Sequence, residues 1–264
     1  MNIEKNMSKE NNEIESKKLI IPIYSTGGEI VVEIKTVLEK IKSDFQDILF
    51  LDTVDFGRCL LIDDVVQTAE TDHEIYDKSI LSLLRKEDKK ILILGGGDGY
   101  VSQMALKINP DLEIKVIELD AKVVSGCEKY LGQQVFQDKR VELHIEDAFK
   151  YLKECSERGE VFDGVVCDLT DEPVREEELK NFQDFYGRIL TLSAGVISDG
   201  GWVSLQAGAA KVTAEHMDAV SLLGEIVARN FKDVFRKDVL IPSFGEENAF
   251  LFARKRNSEK KESS

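Results

Sequence analysis

Short apolar runs alternate with amphipathic segments over most of the chain, and this alternation predicts the architecture. From Lys90 onwards, unbroken apolar runs predict strands, and apolar residues spaced three or four apart predict helices. The predicted strands span 91–94, 114–118, 141–145, 163–168, 201–206 and 248–254, and the predicted helices span 100–108, 121–131, 146–156, 177–197 and 214–230. Strands that alternate with helices form a parallel sheet covered on both faces, and the last strand could pair antiparallel.

The segment before this alternation is rich in strands. Strands are predicted at 19–23, 30–34, 46–51 and 59–62, with turn sequences between them, while 37–41 fits either a strand or a helix and 70–84 fits a linking helix. Short strands separated by such turns form antiparallel sheets. We therefore predict an α/β protein. A small antiparallel β domain (18–77) precedes a Rossmann-like, methyltransferase-type doubly wound sheet (78–255).

Composition narrows the class of protein. The charged ends, 1–17 and 256–264, predict disordered tails. A net charge of −15 over 264 residues argues against nucleic acid and anionic membrane as partners and suits a cationic substrate. The amino terminus lacks the apolar core of a signal peptide, and the four cysteines are scattered without metal-ligand spacing. These features predict a cytoplasmic protein with reduced thiols.

A glycine-rich turn follows the first strand of the alternating region. Gly95, Gly96, Gly97 and Gly99 surround Asp98, and Glu118 ends the next strand roughly 20 residues further on. Glycines let a ligand approach the backbone, and a carboxylate at the next strand tip accepts hydrogen bonds from a ribose diol. The spacing therefore predicts a nucleoside site.

Further acidic residues follow the other predicted strands, where ligands of such sheets bind. They are Asp98, Glu118, Asp147, Asp168 and Asp171. Any one of them could cap a helix, but a neutral nucleoside does not require the whole set. The glycine turn also lacks the lysine that phosphate-binding loops carry. Together these features indicate a cationic nucleoside without phosphates, meaning a sulfonium such as S-adenosylmethionine or its decarboxylated form.

Several segments resemble the spermidine/spermine synthase family of aminopropyltransferases. They are SDFQDI at 43–48, LIDDVVQTAETD at 61–72, GGGDG at 95–99, IELD at 117–120, IEDAFKYL at 145–152 and DLTD at 168–171. The resemblance runs from about residue 29 to 254. Generic methyltransferases share the glycine turn but neither the β domain nor the paired Asp168 and Asp171.

The resemblance implies a role for each matching residue. Decarboxylated S-adenosylmethionine would bind as a co-substrate, with no cofactor or metal, to Gln46, Gln67, Gly95, Gly97, Asp98, Glu118, Asp147 and Ala148. Glu118 would hold the ribose hydroxyls and Asp147 the adenine amine. Asp168 would be the general base. Asp72, Tyr76 and Asp171 would position the acceptor amine, and Gln206 matches a glutamine at the end of the fifth strand. Relatives of this kind form homodimers or homotetramers.

The chain also departs from the usual family pattern. Residues 172–176 replace a proline and a glycine-proline pair, Tyr100 replaces a glycine, and Asp77 stands where spermidine synthases usually have histidine. The segment 241–250 lacks the aromatic residues that commonly wall a diamine pocket.

Other segments resemble animal-type spermine synthases, in which Phe244 and Glu246 would line the pocket of a longer triamine. These departures and resemblances favour spermidine over putrescine as the acceptor. A methyltransferase and a non-catalytic polyamine-binding protein are the competing hypotheses.

Overall fold

The computed structural model describes residues 17–169, 179–213 and 218–256. Asp171 and the altered loop 172–176 lie outside the described residues, and so do almost all of the two predicted tails. At the inner ends of those tails, Lys17 already pairs with Ile34 in the first strand. Arg256 donates hydrogen bonds to the carbonyls of Phe231 and Ala228.

The amino-terminal part forms an antiparallel sheet of five strands in chain order. The strands are β1 (Lys17–Ile23), β2 (Gly28–Lys42), β3 (Asp47–Thr53), β4 (Gly57–Ile62) and β5 (Val65–Ala69). The ambiguous segment 37–41 is the second half of the long strand β2. The separate strand β5 was not predicted, because only two of its five residues, VVQTA, are strongly apolar, although Asp63 and Asp64 mark a turn before it. Both adopt positive φ angles, which makes a tight two-residue turn.

The second sheet has seven strands in the order β11-β12-β10-β9-β6-β7-β8. They are β6 (Lys90–Gly95), β7 (Glu113–Glu118), β8 (Val141–Ile145), β9 (Phe162–Asp168), β10 (Ile197–Ala209), β11 (Phe231–Ile241) and β12 (Glu246–Lys255). The first five pair in parallel, and β12 is antiparallel to both of its neighbours. The sequence did not predict β11, because this edge strand is mostly exposed and its charged residues hide the apolar pattern.

Six α-helices occur among the described residues. They are α1 (His73–Ile80), α2 (Tyr100–Ile108), α3 (Ala121–Gly126, extended by a π turn to Leu131), α4 (Ala148–Arg158), α5 (Leu179–Val196) and α6 (Ala219–Asn230). Carboxylates that accept a backbone N–H, from Asp120, Asp147 and Asp218, begin three of them. None of these helices is long and apolar enough to cross a membrane.

The central strands are buried on both faces, which explains their unbroken apolar runs. On β6, Leu92 and Leu94 face one core cluster, whereas Ile91 and Ile93 face the other. Trp202 is fully buried in the second cluster, and its indole N–H donates to Asp88 at 2.9 Å.

The five-stranded sheet packs against α3 of the second sheet. Phe50 lies so close to Gly126 that an added Cβ there would be 2.4 Å from the ring. This contact sets the first sheet over the carboxyl ends of the parallel strands, where the predicted site residues converge.

Candidate active site

A cavity of about 390 Å³ lies at the carboxyl ends of the parallel strands, between the two sheets. Almost all of the predicted site residues line it: Gln46, Gln67, Tyr76, Gly95, Gly97, Asp98, Glu118, Asp147, Ala148, Asp168, Gln206, Phe244 and Glu246. Asp72 is not among the described lining residues. The topology therefore brings together residues that are up to 200 positions apart in the sequence.

The glycine turn and the end of β7 form one wall of the cavity. Glu118 accepts hydrogen bonds from the backbone N–H of Gly97 at 3.1 Å and of Asp120 at 2.9 Å. A Cβ on Gly97 would lie 2.6 Å from a Glu118 oxygen, so only glycine leaves this carboxylate in place. Burial raises the pKa of Glu118, and the backbone donors oppose that rise by stabilising the anion.

Three further predicted residues line the cavity. Asp147 caps α4 by accepting the backbone N–H of Lys150 at 2.9 Å. One of its oxygens is therefore used by the helix. Gln46, from the turn before β3, donates to the Asp120 carboxylate at 3.2 Å and so links the first sheet to this wall. Gln67 donates to the carbonyl of Val65 at 3.3 Å.

Asp98 lies at the bend of the glycine turn, just before α2. Its carboxylate accepts the backbone N–H of Tyr100 at 3.1 Å. Burial, with a smaller contribution from the charge of Asp77, raises the pKa of Asp98 to about 7. A carboxyl with this pKa binds a nearby cation by giving up its proton.

Asp168, at the end of β9, receives a short hydrogen bond from the hydroxyl of Tyr76 on α1. The turn after β6 allows the two strand ends to approach closely. A Cβ on Gly95 would lie 1.9 Å from the carbonyl oxygen of Asp168, and Gly95 has a φ of +83°. The glycine therefore fixes the distance between the nucleoside turn and the carboxylate of Asp168.

Asp72 is buried beside the turn between β11 and β12. Its two carboxylate oxygens accept the backbone N–H of Ser243 at 2.7 Å and the Ser243 hydroxyl at 2.9 Å. The resemblance implied that Asp72 positions the acceptor amine; its described contacts are with Ser243, and its role towards the amine stays a prediction. In this structure Asp72 holds the turn that carries Phe244.

Phe244 and Glu246, at the connection between β11 and β12, also line the cavity and form a further wall. The ring of Phe244 packs edge-on against Tyr76, with 6.0 Å between centroids. The Glu246 carboxylate is buried and accepts the backbone N–H groups of Tyr24 at 3.0 Å and Ser25 at 2.8 Å. Each oxygen retains a lone pair for another donor. Glu246 thus ties the β1–β2 turn to the rim of the cavity.

Sequence reasoning missed several residues of this wall. Asn248 follows Glu246 by two positions, so strand alternation points both side chains toward one face. Its side-chain oxygen accepts from Gln206 at 3.2 Å. Tyr24 lines the cavity although no local signal distinguishes it. Phe182, Phe185 and Tyr186, on α5, also line the cavity.

The charge of the lining is one-sided. Among the described residues that line the cavity, nine carry carboxylates and none is lysine, arginine or histidine. The carboxylates belong to Asp63, Asp64, Asp98, Glu118, Asp120, Glu146, Asp147, Asp168 and Glu246. In the part of the chain that the structure describes, no group of acidic, histidine or cysteine side chains is arranged to hold a metal ion. The acidic lining of the cavity favours an organic cation as the ligand.

Comparison with known families agrees with this geometry. Residues 73–263 match the family model of the spermine/spermidine synthase domain, and residues 21–70 match that of the spermidine synthase tetramerisation domain. The two matches correspond to the seven-stranded and the five-stranded sheet.

Individual relatives in sequence agree with the family match. The chain is 34% identical to a polyamine aminopropyltransferase of Pyrobaculum aerophilum over 82% of its length and 74% of the relative's. It is 30% identical to polyamine aminopropyltransferase 1 of Hyperthermus butylicus, over 88% and 80% of the two chains.

The fold is similar to a spermidine synthase solved with the transition-state analogue AdoDATO. That structure has a TM-score of 0.77 at 21% identity and covers 95% of this chain and 85% of its own. Spermidine synthase from Thermotoga maritima gives 0.75 at 19% identity, with coverage of 97% and 86%. The chain belongs to the spermine/spermidine synthase family of aminopropyltransferases.

Proposed function

We propose that this aminopropyltransferase moves the aminopropyl group of decarboxylated S-adenosylmethionine to an amine of spermidine, with Asp168 as general base. The observation that carries the proposal is the lining of nine carboxylates without a described basic side chain. Both substrates are cations, and a half-buried carboxylate attracts them more strongly than it would in water.

The same lining argues against intact S-adenosylmethionine as the preferred ligand. That molecule differs from its decarboxylated form by an α-carboxylate, which would need a cationic partner when buried. Among the described lining residues there is no such partner. A methyltransferase that uses intact S-adenosylmethionine therefore ranks below the aminopropyltransferase, as the second candidate.

The transfer would be a single in-line displacement. A neutral amine nitrogen attacks the aminopropyl carbon attached to the sulfonium, the C–N bond forms as the C–S bond breaks, and the electron pair returns to sulfur in methylthioadenosine. Because a lysine-like amine has a pKa near 10.4, holding it neutral at pH 7 costs about 4.6 kcal/mol. Asp168, oriented by the Tyr76 hydroxyl, would accept the proton of the attacking amine.

The number of carboxylates in the lining supports the choice of spermidine. A triamine that reacts at one nitrogen beside Asp168 carries two further ammonium groups, which need carboxylate partners. Glu246 lines the same cavity as Asp168, and each of its oxygens accepts one backbone N–H group and has a second lone pair for another donor. Putrescine, with only one distal ammonium, would need fewer of these carboxylates.

The Glu118 and Asp147 carboxylates would hold the nucleoside. Glu118 presents its anion beside Gly97, as a ribose diol requires, and Asp147 stands at the start of α4. Gln46 and Gln67 would contact the same ligand from the first sheet. The role of Asp171 remains an expectation, since it lies outside the described residues.

Product analysis tests the proposal. The protein is incubated with decarboxylated S-adenosylmethionine and, in separate reactions, putrescine, cadaverine, spermidine or norspermidine, and the products are identified by mass spectrometry. We expect methylthioadenosine together with spermine or thermospermine from spermidine. Spermidine formed from putrescine alone would overturn the choice of acceptor. Methyl transfer from S-adenosylmethionine, without any aminopropyl product, would favour the second candidate.

The family match also bears on assembly. Because residues 21–70 match a tetramerisation domain, we propose that the five-stranded sheet mediates self-association, as a homodimer or a homotetramer. Light scattering during size-exclusion chromatography separates the two, since one chain has a mass of 29.8 kDa. We further propose the cytoplasm as its location, since the four cysteines are free, buried thiols.

A further inference from the structure

Two residues that depart from the family pattern, Asp77 on α1 and Tyr100 on α2, are joined through His73. His73 and Asp77 are one turn apart on α1 and therefore share a face. Nδ1 of His73 lies 2.8 Å from a carboxylate oxygen of Asp77. The imidazole stacks on the ring of Tyr100, with 3.8 Å between centroids and 22° between planes. A contact of three aromatic and polar groups thus joins α1 to the start of α2.

This pair differs from the ion pairs on the outer face of the same helix. The Asp77 side chain is 3% exposed and that of His73 is 14% exposed, whereas Glu74, which pairs with Lys78 and Lys107, is 49% exposed. A buried carboxylate that loses its partner is strongly unfavourable. Burial raises the pKa of Asp77 to about 6, and the hydrogen bond with His73 opposes that rise.

The pair adjoins two residues that contact carboxylates of the cavity lining. Tyr76 is the residue before Asp77 on α1, and its hydroxyl donates to Asp168. Tyr100, on which His73 stacks, donates its backbone N–H to Asp98. Neither His73 nor Asp77 is among the described residues that line the cavity. The pair can therefore affect the reaction only through residues that contact substrate.

We propose that His73 and Asp77 form a positioning pair for aminopropyl transfer, which locks α1 against Tyr100 and so holds Tyr76 in its hydrogen bond to Asp168. The inference rests on the proposed function. It gives a physical reason for finding Asp77 and Tyr100 together in one chain: the carboxylate needs the imidazole, and the imidazole needs an aromatic surface to stack on.

The decisive variant is His73→Phe, which retains a ring to stack on Tyr100 but removes the partner of Asp77. Because a displacement of about 1 Å can cost on the order of 100-fold in rate, we expect kcat to fall roughly 10- to 100-fold. The Kd of the nucleoside should change less than about threefold, since the nucleoside wall is untouched.

Three companion variants keep the result interpretable. His73→Asn places an amide N–H near the position of Nδ1 and should recover most of the lost rate. Glu74→Gln, one residue away on the exposed face, is the matched control and should leave kcat unchanged. In a protein that already carries Asp168→Asn, adding His73→Phe should lower the residual rate less than twofold, because the pair acts through Asp168.

The outcomes separate the pair from the proposed function. If the wild-type protein forms no aminopropyl product with any amine, the proposed function fails. If it forms product and His73→Phe keeps the wild-type kcat, the positioning pair alone is overturned. An equal loss of rate in the presence and absence of Asp168 would also overturn it. Should His73→Phe not fold, Asp77→Asn removes the charge but keeps the shape. It can then replace His73→Phe in the same measurements with and without Asp168.

Discussion

The two halves of the cavity are built in different ways. The proposed nucleoside half consists of the glycine turn, Glu118 and Asp147, which follow three strands of the parallel sheet within about 50 residues. The proposed acceptor half includes Tyr24, Tyr76, Asp168, Phe244 and Glu246, which come from distant parts of the chain. In the first half the carboxylates accept backbone N–H groups that are close in the chain, whereas in the second half Glu246 accepts donors more than 200 positions away.

This difference predicts which half of the cavity should better tolerate substitutions. A carboxylate held by adjacent backbone groups keeps its position as long as the strand and turn form. A wall held by contacts such as Asp72–Ser243 and Glu246–Tyr24 depends on two elements at once, so one substitution can shift it. We expect acceptor choice to vary more easily than nucleoside binding.

The largest effect should come from Asp168→Asn, which removes the proposed base from the acceptor half alone. We expect kcat to fall by about 10²- to 10⁴-fold, because general-base catalysis contributes on that order. Binding of the nucleoside, measured by calorimetry, should stay within a few-fold. A variant that turns over at a comparable rate would disprove the assignment of Asp168.

Asp72→Ala should have the largest effect on stability. It leaves the buried N–H and hydroxyl of Ser243 without their acceptor, which we expect to cost about 3 kcal/mol. Thermal unfolding would show this as a Tm lowered by roughly 6–12 °C. Ser243→Ala, which retains the backbone N–H, is the matched variant and should lose about 1 kcal/mol. If Asp72→Ala instead raised the KM of the amine and left the Tm unchanged, Asp72 would bind the acceptor directly.

Gly97→Ala should weaken binding of the nucleoside. The new Cβ would displace the Glu118 carboxylate, so we expect the Kd of decarboxylated S-adenosylmethionine to rise at least about tenfold, the worth of one charge-assisted hydrogen bond. Gly224→Ala on α6, where an added Cβ meets no atom within 4 Å, is the control and should bind normally.

The affinity for the sulfonium should depend on pH through Asp98. Its pKa is raised to about 7 in the free protein, and a bound cation favours the ionised form. Lowering the pH below 7 protonates the free carboxyl, so affinity should fall, approaching about tenfold per pH unit. Asp98→Asn should bind more weakly and without this dependence. A flat pH profile in the wild-type protein would show that Asp98 does not face the sulfonium.

The smallest effect should come from Asp147→Ala, which tests whether this residue serves the helix or the ligand. Loss of the cap on α4 should cost about 1 kcal/mol of stability. If Asp147 also contacts the adenine amine, the variant should bind the nucleoside with a higher Kd as well. Asp218→Ala at the start of α6 is the matched control, since it removes a cap that lies away from the glycine turn. Equal binding by both variants would leave Asp147 with a structural role alone.

Much of the fold was predictable because its signals are local. The parallel strands are buried on both faces, so each reads as an apolar run, and α2 begins and ends at the predicted residues 100 and 108. The edge strand β11 lacks such a signal, because exposed charged residues dominate its pattern. The strand β5 was missed although Asp63 and Asp64 mark a turn before it, because only two of its five residues are strongly apolar.

By itself the sequence determined the parallel strands, the glycine turn and the acidic residues at the strand ends, since each follows from neighbours along the chain. Only the tertiary structure decided what the acids contact. Asp72 turns to Ser243 and Glu246 to the backbone of Tyr24 and Ser25, each across more than 150 positions. A carboxylate's partner depends on which donors packing brings within about 3 Å, and no local pattern encodes that distance.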